Sequence, residues 1–144
     1  MTDFPDVNVW IALTAEDHVH HARAEIYWRT EADARLSFCR TTALGLVRVI
    51  SNPHTFGGHP LAPAEAWECY LRWRDRQEVD FLSEPPGIED VMTDWCRSGL
   101  ATTRNWTDLY LAAFALAGNL RLVTFDSGFG SFPGLNLHHL IEHQ

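Results

Sequence analysis

Three aspartates, Asp6, Asp108 and Asp126, each stand beside an apolar run, in the stretches P-D-V-N-V-W-I-A-L, W-T-D-L-Y-L-A-A-F-A and L-V-T-F-D-S-G-F. A carboxylate set against a hydrophobic segment is costly to bury unless a positive or hydrogen-bonding group meets it. Three in such positions can converge on one divalent metal, because hard cations such as Mg²⁺ and Mn²⁺ take carboxylate oxygens. Singly, each has a plainer reading: Asp6 as a strand-edge or turn residue, Asp108 as a partner of a helix dipole, and Asp126 as the first residue of a D-S-G turn. The combination is what points to chemistry.

Convergence depends on the elements that carry them. The alternation in Val7-Asn-Val-Trp-Ile11 predicts a strand over about residues 5–9 that bends into a helix near Ala12. A helix follows over His18–Arg29, then a short strand over Leu36–Cys39. Thr41 or Thr42 caps a helix through Val49, which Asn52-Pro53 stops, and residues 54–61 read as a loop. Pro63 opens a helix running to about Arg76, and Val79–Leu82 is a strand. After Pro85-Pro86-Gly87 comes a helix over Ile88–Gly99 with Val91, Trp95 and Cys96 inward. Thr107 caps a helix over Asp108–Ala117, ended by Gly118-Asn119. Leu120–Phe125 is a strand and Leu135–Leu137 a last short one.

Strands alternating with helices of this length imply a parallel sheet with helices packed on it, in one α/β domain spanning residues 1–144. In such sheets ligands sit beyond the carboxyl ends of the strands. Asp6 on the first strand, Asp126 just after the fourth and Asp108 in the first turn of the preceding helix can share that edge. Asn8 is positioned to hold the turn beside Asp6.

Composition limits the function classes. A hydrophobic share of 46% and a charged share of 21% describe a globular protein. No run approaches the roughly 20 apolar residues of a membrane span, and no signal segment opens the chain, so the expected location is cytoplasmic. A formal charge of −8 argues against coating nucleic acid by bulk electrostatics. It leaves room for an enzyme that meets phosphate through bound metal and a few arginines. Cys39, Cys69 and Cys96 form no C-x-x-C pair and read as buried reduced thiols.

The segments, in order, resemble the PIN-domain ribonucleases, and within them the VapC-type toxins of prokaryotic toxin–antitoxin pairs. The resemblance rests on D-V-N-V-W-I-A-L with H-V-H-H-A-R-A after it, then L-G-L-V-R-V-I-S-N-P, T-D-L-Y-L-A-A-F-A-L-A-G and L-R-L-V-T-F-D-S-G-F-G-S-F-P-G-L. It covers nearly the whole chain. It implies a PIN-like three-layer sandwich: a central, mainly parallel sheet of about four to five strands with helices on both faces. Asp6, Asp108 and Asp126 match the acidic metal-binding residues of a Mg²⁺-dependent endoribonuclease that also accepts Mn²⁺. An RNA substrate, a cognate antitoxin protein and a homodimer are implied with it. The chain departs from the pattern at Gly45, where many members carry a glutamate, which leaves a fourth ligand missing or replaced.

Around the trio, Arg48 is read as a phosphate contact or ion-pair partner, and Ser127 and Asn8 as further substrate-side groups. His18, His20 and His21 do not share one helix face and read as a solvated helix start. His138, His139 and His143 read as surface residues. Trp67 and Trp73 bracket Tyr70 on one helix, in keeping with an interface for a second copy or an antitoxin. The chief alternative to a ribonuclease is a catalytically impaired PIN-fold module that only binds RNA or a partner. A different α/β phosphoryl-transfer enzyme is disfavoured by the lack of a D-x-D start, a P-loop lysine motif or a C-x₅-R loop.

Overall fold

Asp6 divides the first strand from the first helix in the computed structural model, which describes residues 1–55 and 59–141. Strand β1 is Thr2–Pro5, and helix α1 is Val7–Thr14. The segment Val7–Ile11 is therefore helical, against the strand its alternation predicts. Two features decide it. Asp6 has extended backbone, and its carboxylate accepts a hydrogen bond from the Val7 amide at 2.7 Å, which caps the helix. Every residue from Val9 to Leu13 is buried, so the run is apolar on all sides and a period of two carries no information.

Helix α2 is His21–Ile26, starting three residues later than expected, and it widens into a π-helical turn over Tyr27–Glu31. There the Ala32 amide donates to the Tyr27 carbonyl at 2.8 Å. Strand β2 is Arg35–Phe38 and helix α3 is Arg40–Ile50. Thr42 accepts from the Cys39 amide at 3.0 Å at the start of α3, so it acts from inside the helix rather than as its cap. Helix α4 is Pro63–Arg74, strand β3 Val79–Phe81 and helix α5 Ile88–Arg97. Helix α6 is Trp106–Ala117, strand β4 Arg121–Thr124 and strand β5 Leu137–His139, two residues beyond the predicted last strand.

All pairings among the five strands are parallel, in the order β3-β2-β1-β4-β5. Alternate strand residues feed two cores. Leu36, Phe38, Val79 and Val123 pack with α1, α3 and α4 on one face. Phe4 and Leu122 pack with α5 and α6 on the other. The three-layer α/β sandwich read from the sequence is thus the observed one. Trp10 lies at the centre of the first core, stacked on Phe38 with ring centroids 4.0 Å apart and edge-on to Trp73.

Two side-chain expectations change. Trp73 turns inward and donates to Thr14 at 2.9 Å, whereas Trp67 stays exposed on the same helix. Cys39 and Cys69 are buried, but Cys96 is exposed because α5 aims its neighbour Trp95 at the core.

Candidate active site

The C-terminal ends of β1 and β4 are neighbours, and the chain binds them together. Pro5 is in register with Val123, and the Asp6 amide donates to the Val123 carbonyl at 2.8 Å. One hydroxyl organises the turns just beyond these strand ends. Thr124, fully buried, donates from Oγ1 to Asp6 Oδ2 at 2.9 Å and accepts from the Asp126 amide at 3.0 Å. Asn8 closes the turn: its Nδ2 donates to Thr124 Oγ1, and its Oδ1 accepts from the Phe125 amide, each at 3.3 Å. Asp126 then caps the 3₁₀ turn Ser127–Ser131 by accepting from the Gly128 amide at 2.8 Å. Asp6 and Asp126 are thus fixed on one edge by residues from opposite ends of the sequence.

Asp108 arrives on the third residue of α6. Thr107 is the second residue of that helix and not its cap. The capping position belongs to Asn105, whose side chain instead accepts from the Thr102 amide at 2.7 Å and donates to the Leu100 carbonyl at 2.9 Å. Asp108 is half-buried and, among the described residues, accepts no hydrogen bond and forms no ion pair.

The three carboxylates feel one another. Burial pushes the Asp6 pKa up to about 6, against the lowering effect of the bonds from Thr124 and Val7, and the charges of Asp108 and Asp126 raise it further. Asp108 is also raised, by burial first and then by Asp126. Repulsion among acids at one sheet edge destabilises the ionised state unless a cation offsets it. The donors are all carboxylate oxygens, the chemistry that Mg²⁺ and Mn²⁺ take. Among the described residues no three or more acidic, imidazole or thiol side chains stand ready as a coordination shell. In donor chemistry Asp6, Asp108 and Asp126 suit such an ion.

Gly45 has a steric reason. A Cβ built there would lie 2.5 Å from Val7 Cγ2, because α3 crosses the first turn of α1 at that point. Val7 is β-branched and stiff about χ1, so it cannot swing away freely. The side chain next to Asp6 thus fills the space into which a residue-45 carboxylate would project. Gly45→Ala is expected to destabilise the protein, since overpacking of about 1–3 kcal/mol acts against the roughly 1 kcal/mol that alanine gains over glycine in a helix. In a Val7→Ala background the same change should become stabilising. Urea denaturation of the four proteins measures both effects, and equal effects in the two backgrounds would refute the contact.

Other candidates scatter around the trio. Ser127 is exposed directly after Asp126. Arg48 is exposed one turn beyond Gly45 and, among the described residues, has no carboxylate partner, so the ion-pair half of its reading is not met. His20 is more than part of a solvated helix start, since its ring stacks on Phe125 with centroids 4.5 Å apart, beside Asp126. His138 is not a free surface group either. It meets Glu31 at 2.8 Å, while His139 contacts the Phe125 carbonyl at 3.1 Å and His143 lies outside the described residues. Thr124 escapes a reading of the sequence. Its only signal there is a threonine two residues before Asp126 in an otherwise apolar strand.

A parallel five-stranded sandwich with acids gathered at its carboxyl edge defines a class of α/β proteins, and comparison with known proteins narrows it. The PIN domain model matches residues 4–135, and the chain belongs to the PIN domain family. Ribonuclease VapC41 of Mycobacterium tuberculosis is 34% identical over 142 residues, covering 95% of this chain and 97% of that protein. Ribonuclease VapC44 of the same organism is 36% identical over 138 residues, covering 94% of each. Among solved structures, Mycobacterium tuberculosis VapC20, a sarcin-ricin loop cleaving toxin, aligns with a TM-score of 0.69 at 14% identity, over 94% of this chain and 98% of that one. DNA-bound VapBC of Salmonella typhimurium aligns at 0.65 and 19% identity, over 98% of this chain and 100% of that one.

Proposed function

We propose that this chain is a metal-dependent endoribonuclease, the toxin of a type II toxin–antitoxin pair, using Mg²⁺ with Mn²⁺ as a substitute. The observation that carries the reading is the convergence of Asp6, Asp108 and Asp126, with Asp108 left, among the described residues, without a hydrogen-bond donor or cation. The ribonuclease and toxin names of its relatives supply the reaction class.

Asp6, Asp108 and Asp126 would hold the ion. When bound, it supplies a Lewis acid for the phosphate oxygens and a means of lowering the pKa of water at neutral pH. The chain's own contribution is positioning. Thr124 and Asn8 hold Asp6 and the Asp126 turn at a fixed separation, and the edge stays open to a polynucleotide. Arg48 and Ser127 are the exposed groups available to phosphate. Trp67 and Leu71, both about two-fifths exposed and one turn apart on α4, offer an apolar strip for a second copy or the antitoxin.

A second reading rests on Gly45 alone: a PIN-fold module that binds RNA or a partner without cutting. One assay separates the two. The full chain should cleave a defined RNA panel with Mn²⁺ or Mg²⁺, stop on addition of EDTA, and lose about a hundredfold or more in Asp126→Asn. RNA bound but uncut at saturating Mn²⁺ would establish the second reading.

A further inference from the structure

Beside the acidic edge lies an open pocket of about 280 Å³ that the proposed chemistry does not use, lined by Thr41, Glu84, Trp106, Thr107 and Tyr110. Its walls come from three elements that all end at the carboxyl side of the sheet: the first turn of α3, the loop after β3, and the first turns of α6. Trp106, Thr107 and Tyr110 line it from a roughly 100° arc of α6, and Asp108 leaves the same turn about 100° beyond Thr107 and about 160° from Trp106 and Tyr110. The pocket and Asp108 thus share the first turn of α6 and flank it on different sides, with Thr107 between them.

The lining has the parts of a base-recognition site. Trp106 is 53% exposed, although indole surface usually avoids water, and it offers a flat face at the mouth. Single-stranded RNA is read by stacking unpaired bases on such rings and hydrogen-bonding their edges. Glu84, itself exposed, is fixed by the Tyr110 hydroxyl, which donates to its Oε1 at 2.8 Å. Burial, and then the bond to Glu84, raises the Tyr110 pKa, so the phenol remains a donor and the carboxylate stays oriented. Glu84 forms no ion pair among the described residues.

A carboxylate only accepts hydrogen bonds, and that selects among the bases. Guanine presents two adjacent donors, N1–H and the N2 amine, which match the two oxygens of one carboxylate. Adenine and cytosine place an acceptor nitrogen beside their amine, and uracil flanks its single N–H with two carbonyls, so each sets a lone pair against the negative charge. The Thr107 hydroxyl can donate to guanine O6, while Thr41 bonds to Tyr110. We infer that this pocket binds an unpaired guanine of the RNA that the acidic edge engages, with Glu84 as the specificity-determining residue and Trp106 as its stacking platform. The inference rests on the ribonuclease reading for its ligand but not on the metal site.

The test separates binding from cleavage. Short single-stranded RNAs of identical sequence, carrying guanine, inosine, adenine, cytosine or uracil at one position, are titrated against the full-length Asp6→Asn protein, with indole fluorescence as readout. Guanine should bind about tenfold or more tighter than inosine, which lacks the N2 amine. Adding Glu84→Gln should reduce that ratio to about two or less, and Trp106→Ala should weaken every RNA by about tenfold. Cleavage by the protein with Asp6 intact should show the same guanine preference, lost in Glu84→Gln. An unchanged guanine-to-inosine ratio in Glu84→Gln, or a wild-type preference for another base, overturns the assignment. RNA that binds with this discrimination but is never cut overturns the ribonuclease reading and leaves the pocket standing.

Discussion

Asp6→Asn is expected to lower RNA cleavage by about two orders of magnitude or more and, at pH 8, to make the metal-free protein more stable. The loss follows from the several kcal/mol of charge stabilisation that a carboxylate-held ion contributes to phosphoryl transfer. The gain follows from linkage. Folding raises the Asp6 pKa from 3.8 to about 6, so the folded state holds that proton more tightly than the unfolded chain. Its contribution is therefore most favourable below pH 4 and declines as pH rises through the window from about 4 to 6. The decline amounts to about 3 kcal/mol. Asparagine has the same shape and does not titrate, and its one oxygen can accept from Val7 or from Thr124, at a cost of about 1 kcal/mol for the bond it loses. Its stability should stay flatter across that window, slightly below wild type at pH 4 and above it at pH 8. Mg²⁺ should reverse the order at pH 8, because the ion stabilises only the form that binds it. Thermal denaturation from pH 4 to 8, with and without Mg²⁺, measures these effects. Parallel pH profiles for the two proteins, or undiminished cleavage by the variant, would sink the role given to Asp6.

The same residue marks how far the sequence can be read. Its type and place beside an apolar run single it out, and the alternation of strands and helices is enough to set the acids on one edge. Helices bounded by strong local signals, such as the one opened by Pro63 or the one ended by Gly118, are legible because their stop and start chemistry lies within a few residues. The segment Val7–Ile11 misleads because burial on every side removes the contrast that makes a period visible. The cap that decides the matter is Asp6 itself, which the alternation places inside the strand.

What escapes is whatever depends on a distant partner. Thr124 matters because Asp6, Asn8 and the Asp126 amide all meet its hydroxyl, and the first two lie more than a hundred residues away. Gly45 looks in the sequence like a lost ligand. Only the contact with Val7 shows that the position is also closed by packing. The pocket around Glu84 draws on three separate elements, with no motif to announce it.

Asp3→Ala is expected to destabilise the fold by about 3–5 kcal/mol. Asp3 is fully buried at the opposite end of β1 from Asp6. It stands in register with Arg121 on β4 and takes both arms of that guanidinium, from Nε at 2.7 Å and Nη2 at 2.9 Å. It also accepts from the Tyr27 hydroxyl at 2.6 Å and from the Asp33 amide at 3.1 Å. Burial and the Asp3 charge raise the Tyr27 pKa, so this phenol stays protonated and needs an acceptor. Removing the carboxylate would strand the buried Tyr27 hydroxyl and leave the partly buried Arg121 guanidinium with the Glu31 carbonyl alone, and losing one partner of a buried pair costs far more than the pair contributes net. The decisive comparison is the triple change Asp3→Leu, Tyr27→Phe and Arg121→Met. It removes the three side chains together, leaves only the backbone Asp33 amide and Glu31 carbonyl behind, and should recover most of the loss, because apolar replacement of a buried ionic network is close to neutral. Urea denaturation monitored by circular dichroism should show the single variant far below wild type and the triple between them. A loss under about 1 kcal/mol in Asp3→Ala would mean that water reaches the cluster and screens it as it does a surface pair. RNA cleavage per folded molecule should fall little in Asp3→Ala, since the network fixes the strands that carry Asp6 and Asp126 without touching the edge where they meet.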